Sequence, residues 1–311
     1  MDLYMRNGRK SQIVKELRED IYKGRLAPKS RIPTRDELQI RFGVSRQTVQ
    51  NAIDVLVRDG FLRAVRSEGT FVMDEPPHLC NYGFASDNPF SASRFTHTMQ
   101  RAAMKLVENG NVKFSFYCYA HGSIDSEGYR RLLEDVEARR LAGIIFPFPP
   151  EGLWDKPVLK APGLPMVSNS RSENESIPQI FFDHRSFLVK AAAFLAAQGR
   201  KRFAQIGSWL HRKEMEESIS YLLERGLSAP ALTQACSPTS PFSAYQAALV
   251  LMELPANRRP DAMIIYDDHL VETATEALGK LGLRFPDDLG VVAHCNFPDR
   301  PVSSVPVTRL G

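Results

Sequence analysis

Cysteine is scarce in this 311-residue chain, and its four copies are scattered. Cys80, Cys118, Cys236 and Cys295 form no C-x-x-C pair and have no metal-ligand spacing with histidine. That excludes a disulfide-stapled scaffold and a zinc ribbon, and it predicts four buried, unpaired thiols in a reducing compartment. No stretch approaches the roughly 18 unbroken apolar residues of a membrane span. The opening MDLYMRNGRKSQIVKELRED is basic and polar, without the apolar segment of a secretory signal, so a cytoplasmic location is expected. Also missing are G-x-S-x-G, a P-loop, H-E-x-x-H and a G-x-G-x-x-G following a strand. No catalytic residue, cofactor or metal is therefore expected.

What is there belongs to an ordinary globular protein, 43% hydrophobic and 24% charged. The length is long for one core, so two domains are expected. The net charge of +4 is unevenly placed. Residues 1–73 hold 15 Lys and Arg against 9 Asp and Glu, a balance of +6, and residues 74–311 hold 25 against 27, a balance of −2. All of the positive excess lies in the first quarter, as expected of a small domain that meets a polyanion.

That quarter reads as three helices and a hairpin. Ile13, Val14, Leu17 and Ile21 recur at helical spacing and Gly24 stops the run. Thr34 and Glu37 form a capping box for a short helix that buries Leu38 and Phe42, and Gly43 permits the turn that ends it. Ser45 caps a third helix with an apolar stripe of Val49, Ala52, Ile53, Leu56 and Val57. Arg46, Gln47, Gln50 and Asn51 lie on another face near its start, with Thr48 at the border. Those residue types match the donors and acceptors of the DNA major groove, which a helix reads with its N-terminal residues. A solvated surface helix would show the same residues, so the neighbours carry the weight: Asp59-Gly60 leads into FLRAV, RSEG and TFV, two short strands around a glycine-bearing tip. A helix-turn-helix followed directly by a hairpin is a winged helix.

The run PTRDELQIRFGVSRQTVQNAIDVLVRDGFLRAVRSEGTFV closely resembles the DNA-binding domain of the GntR family of bacterial transcription regulators, over roughly residues 10–72. The resemblance implies that Arg35 and Arg46 contact bases and backbone, that Thr34, Ser45 and Thr48 contact the backbone, and that Gly69 is the wing glycine. Ser67 stands where the family's first wing glycine usually stands, and Glu68 follows it at the tip. Both should weaken or re-aim the wing contact, with Arg66 supplying a phosphate contact instead.

The acid residues and diproline of DEPPHL place a stiff, extended linker at 74–78, between a winged-helix domain of residues 1–73 and a second domain of residues 79–311. Beyond it, short apolar runs alternate with amphipathic helices, implying an α/β fold with largely parallel sheet and ligand binding beyond the strands' carboxyl ends. FFDHRSFLVKAAAFLAAQGRKRFAQIGS and DAMIIYDDHLVETATEALGKLGLRFPDDLGVVAHCN resemble the LacI-type regulatory domain, itself similar to periplasmic sugar-binding proteins. A GntR head on a LacI-like body resembles arabinose-type repressors. It implies two lobes with a ligand in the cleft, and a LacI-like body ordinarily continues into a further helix beyond the point where VTRLG ends.

The same resemblance points to Phe90, Arg171, Asp183, Trp209, Asp268 and Asn296 as cleft residues. Each has a plainer reading: loop packing for Phe90, a surface charge for Arg171, an N-cap for Asp183 and core for Trp209. Asp268 is the strongest candidate, since a carboxylate accepts two hydroxyl hydrogens of a polyol at once. Asp267 replaces the family's usual Asn and is expected to cap the next helix. Asn296 stands where an Asp is common.

The expected function is a DNA-binding transcription regulator, acting as a repressor, whose operator affinity is set by a small molecule such as a sugar. A homodimer is expected because one head reads only one half-site. One alternative is an enzyme on the same head, as in aminotransferase-like GntR proteins, which needs a larger body and a Schiff-base lysine in context. Another is a body that only dimerises or binds a partner.

Overall fold

The computed structural model describes residues 2–110, 112–119, 126–169, 176–208, 212–227, 233–236, 240 and 242–311. The head begins with helix α1 (Asp2–Tyr22), followed by α2 (Arg35–Phe42) and α3 (Arg46–Arg58). Strands β1 (Leu62–Val65) and β2 (Gly69–Val72) pair antiparallel, and Arg31 bridges Phe71 on the outer side of β2. The spacing of apolar residues dictates this arrangement. Ile13, Val14, Leu17 and Ile21 of α1 meet Leu38, Val49, Ala52, Ile53 and Leu56 in one core closed by Phe61, Leu62 and Val72. Val57, expected in the stripe, is 37% exposed, because at 100° per residue it falls at the edge of the face formed by Val49, Ala52, Ile53 and Leu56.

Local signals set the helix ends as expected. Thr34 and Glu37 form the reciprocal capping box of α2, and Gly43 closes that helix at φ 59°, a left-handed conformation in which glycine carries no Cβ penalty. Ser45 caps α3 by accepting from the Thr48 N–H. At the wing tip the chain keeps a left-handed turn although glycine is absent: Ser67 has φ 67°.

The diproline is extended only at its first residue. Pro77 instead opens a short helix α4 (Pro77–Cys80), for which its missing N–H and fixed φ are well suited. His78 on α4 stacks on Phe61 at 6.0 Å and meets the edge of Tyr22 at 5.5 Å. Burial lowers the His78 pKa, so the neutral ring packs there.

Next come β3 (Asn81–Ser86), α5 (Arg94–Asn109), β4 (Lys113–Cys118), α6 (Glu127–Glu137), β5 (Gly143–Phe146), β6 (Met166–Asn169) and β7 (Gln179–Ile180). Their strands form a parallel sheet in the order β4-β3-β5-β6-β7. The remaining elements are α7 (His184–Ala197), β8 (Phe203–Ser208), α8 (Arg212–Leu223), β9 (Thr233–Cys236), α9 (Phe242–Met252), β10 (Ala262–Ile265), α10 (Val271–Gly279), β11 (Gly290–His294) and β12 (Thr308–Leu310). They give a second parallel sheet, ordered β12-β11-β10-β8-β9. The contacts divide the chain into two compact units: residues 1–90 with 100–181, and residues 91–99 with 182–311. The head and the first lobe thus share one unit.

Within that unit the head is docked on the lobe by charge and aromatic contacts. Arg139, after α6, lies over the Tyr22 ring at 4.5 Å and donates to Glu19 at 3.4 Å and to the Pro162 carbonyl at 2.9 Å. Tyr22 donates to the Gly163 carbonyl at 3.3 Å, and Arg140 lies 3.7 Å from Asp59. Cys80, Cys236 and Cys295 are buried and Cys118 is half-buried; all four are free thiols. Among the described residues no helix is long and apolar enough to cross a membrane.

Candidate nucleic-acid interface and ligand cluster

The polar residues of the head lie at the start of α2 and along the first turns of α3. Arg35 is the first residue of α2 and donates Nε to Gln50 Oε1 at 2.6 Å. Ser45 and Thr48 share a hydroxyl contact of 2.9 Å at the start of α3. Thr34 gives its hydroxyl to Glu37 at 2.8 Å. Gln47 donates to Asn51 at 2.8 Å, one turn on. Arg46 is exposed and makes no hydrogen bond or ion pair with any described residue, which leaves its whole guanidinium available. Thr34 and Arg35 thus begin α2, Ser45, Arg46, Gln47 and Thr48 begin α3, and the Arg35–Gln50 hydrogen bond ties the start of α2 to the second turn of α3.

Arg66 is exposed in the wing, beside Ser67. Gly69 lies at φ 119°, and a Cβ there would stand 2.7 Å from Arg31 Nε. Only glycine lets this guanidinium lie against the wing backbone. Arg31 was not singled out in the sequence, where nothing in RIPT marks it; the strand bridge to Phe71 brings it to the wing. Asp54 was also missed: it accepts from Gln50 Nε2 at 2.7 Å.

In the second unit, the chain leaving β10 and β11 brings two candidates together. Asn296 donates Nδ2 to Asp268 Oδ2 at 2.8 Å. Asp268 is only 2% exposed, a position that a carboxylate holds when it is hydrogen-bonded. His269 completes the cluster, its Nδ1 lying 3.0 Å from Asp267 Oδ1 and 3.2 Å from Asp268 Oδ1. The signal for it was the triplet Asp267-Asp268-His269 itself. Asp267 does not cap α10, whose N-cap is Leu270; it accepts from the His269 N–H at 3.0 Å and so turns back on its own loop.

Two demands meet on the His269 ring. Hydrogen bonding to Asp267, then to Asp268, raises its pKa to about 9. Its Nε2, however, accepts the Arg94 backbone N–H at 2.9 Å, which needs a lone pair there. The Arg94 contact requires the neutral ring with its proton on Nδ1, whereas Asp267 and Asp268 favour the protonated ring, so gaining a proton trades that contact for stronger bonds to the carboxylates. The three side chains lie close enough together to hold a cation. A metal on Nδ1 would leave a proton on Nε2, facing the Arg94 N–H donor to donor, so this arrangement does not favour one.

The other candidates are dispersed. Asp183 caps α7, accepting from the Ser186 N–H at 3.0 Å. Phe90, in the first unit, packs against Phe84 and Phe116 at 5.3 and 5.4 Å. Arg171 and Trp209 lie outside the described residues.

Comparison with known proteins follows the same division. Residues 9–72 match the family of bacterial regulatory proteins called gntR, and residues 192–310 match the periplasmic binding protein-like domain. The arabinose metabolism transcriptional repressor of Geobacillus stearothermophilus is 23% identical, covering 96% of this chain and 85% of that protein. The mannosyl-D-glycerate transport and metabolism repressor of Escherichia coli is 42% identical over 64 residues, covering 21% of this chain and 27% of its own length. A LacI-family regulator of Lactobacillus casei, solved with bound glucose, superposes with a TM-score of 0.56 at 18% identity, covering 74% of this chain and 86% of its own. The lac repressor dimer bound to operator and an anti-inducer gives 0.57 at 19% identity, covering 74% and 79%. These two likenesses concern the fold. The chain is a DNA-binding transcription regulator that joins a gntR-family head to a periplasmic-binding-protein-like body.

Proposed function

We propose that this protein is a cytoplasmic repressor whose affinity for its operator falls when a sugar binds the body, and that it is not an enzyme. The observation that carries the ligand reading is the Asp268–Asn296 pair, a buried carboxylate and an amide at the carboxyl ends of neighbouring parallel strands, where such sheets take ligands. Together they offer acceptors and donors for vicinal hydroxyls. The arabinose repressor's similarity over nearly the whole chain, and the glucose held by the Lactobacillus casei regulator, favour a carbohydrate. Phe90, Arg171, Asp183 and Trp209 complete the proposed ligand set. On the head, Arg35, Arg46 and Gln47 face base edges, Thr34, Ser45 and Thr48 the phosphates, and Arg66 and Gly69 the wing contact, with Gln50 on the same face.

In this reading residues 1–73 form the DNA-binding domain, 74–78 the linker and 79–311 the regulatory domain. The protein acts as a homodimer, so that two heads meet two half-sites. Exposed Met104 and Val107, one turn apart on α5, give the first lobe an apolar surface suited to a second copy, and light scattering of the purified chain measures the mass. Ligand controls DNA binding only if it prefers one of two conformations.

Thermal unfolding against monosaccharides, disaccharides and sugar acids tests the proposal. A sugar at about 100 times its dissociation constant adds roughly 2.7 kcal/mol. A flat panel favours the other reading, a body that only dimerises or binds a partner.

A further inference from the structure

Gln50 lies one turn beyond Arg46 on α3, and both ends of its amide are engaged. Its Oε1 accepts from Arg35 Nε at 2.6 Å, and its Nε2 donates to Asp54 Oδ1 at 2.7 Å. The partners dictate the amide's orientation. A guanidinium only donates and a carboxylate only accepts, so the oxygen must face Arg35 and the NH2 must face Asp54. A two-bond grip on adenine needs the same oxygen and the same NH2 together on one base edge. Here they are divided between two side chains.

Arg35 engages only its Nε; Nη1 and Nη2 make no hydrogen bond with any described residue. That leaves the two-pronged edge that suits O6 and N7 of guanine. Asp54 fits the same logic. An exposed carboxylate on a helix that approaches phosphates is unfavourable, and Gln50 is its hydrogen-bond partner. Fixing the Gln50 amide gives that carboxylate a role.

We propose that Gln50 is a positioning residue for Arg35, which reads one guanine, and that Asp54 locks the Gln50 amide in the orientation this requires. The proposal rests on the head's binding DNA, and it assigns Gln50 no base of its own.

The test starts from a duplex selected out of a randomised pool by the full-length wild-type protein. Fluorescence anisotropy then gives the affinity of each variant for that duplex and for single base-pair changes in it. Arg35→Ala is expected to lose roughly 5- to 150-fold and to flatten discrimination at one base pair. Gln50→Ala should flatten discrimination at that same pair, and should change affinity less than twofold in an Arg35→Ala background. Gln50→Glu, which still accepts from Arg35 Nε, should keep the discrimination while its added charge weakens binding to all duplexes alike. Each variant's thermal melting is measured alongside, so that a folding defect is recognised.

A Gln50→Ala protein that discriminates like wild type would overturn the proposal. So would a loss at a different base pair, or an equal loss in the Arg35→Ala background, either of which makes Gln50 a reader in its own right. Those outcomes leave DNA binding intact. If the wild-type protein enriches no sequence, the DNA reading falls, and the proposal falls with it.

Discussion

Asp59 follows the last turn of α3, and its side chain keeps only 7% of its exposure. Arg18 Nη2 of α1 lies 2.7 Å from its Oδ2, while Arg140 and Arg58 approach its Oδ1 at 3.7 and 3.8 Å. Burial lowers the Arg18 pKa and the Asp59 charge opposes that, as expected of a cation held inside by its partner. Asp59→Asn keeps the shape and removes the charge. Breaking a buried pair from one side costs about 3–5 kcal/mol, and a surface pair about 0–1. Arg18 is 13% exposed, so it sits near the buried end, and the retained amide still accepts one hydrogen bond. The expected loss is therefore about 2–3 kcal/mol in the head. Amide hydrogen exchange on α1 and α3 in the full-length protein reads this directly, as an acceleration of about 30- to 150-fold where exchange follows opening of the head. Acceleration below about threefold would place the pair in the surface class and refute the reasoning. Adding Arg18→Met should restore part of the loss, because the lone buried cation goes with it.

Other outcomes follow from the same structure. Arg46→Ala should weaken specific operator binding by about 1–3 kcal/mol without changing melting, because Arg46 is exposed and makes no hydrogen bond or ion pair with any described residue; unchanged affinity removes α3 from the recognition role. Asp268→Asn should abolish the ligand-induced thermal shift and leave operator affinity in place, and a variant that still responds would take Asp268 out of the site. His269 carries a pH signature. Its folded pKa of about 9 lies above its unfolded value near 6.5, so its contribution to stability is full below about 6.5 and is lost as pH rises through about 9. Denaturant titrations across that window should show falling stability, and His269→Gln should flatten the slope. An unchanged slope would mean that the Arg94 N–H holds the ring neutral throughout.

Much of this protein was legible in residue order, because the signals were local. The Thr34–Glu37 box, Gly43 and Ser45 set helix ends within a few residues of themselves, and periodic apolar positions fixed which face of α1 and α3 went inward. The alternating runs after residue 79 gave an α/β body for the same reason. β9 and β12 carry no apolar run of their own, and pairing with β8 and β11 makes them strands. Pro77 reads as extended beside Pro76, yet its ring equally suits the first turn of α4, and the packing of His78 on Phe61 selects that turn. Contacts across long stretches of chain carried no local mark. Asn296 meets Asp268 from 28 residues away, and Arg139 meets Glu19 from 120. Residue order supplied those groups and their chemistry, and the folding of parallel strands and the docking of the head on the lobe chose which of them touch.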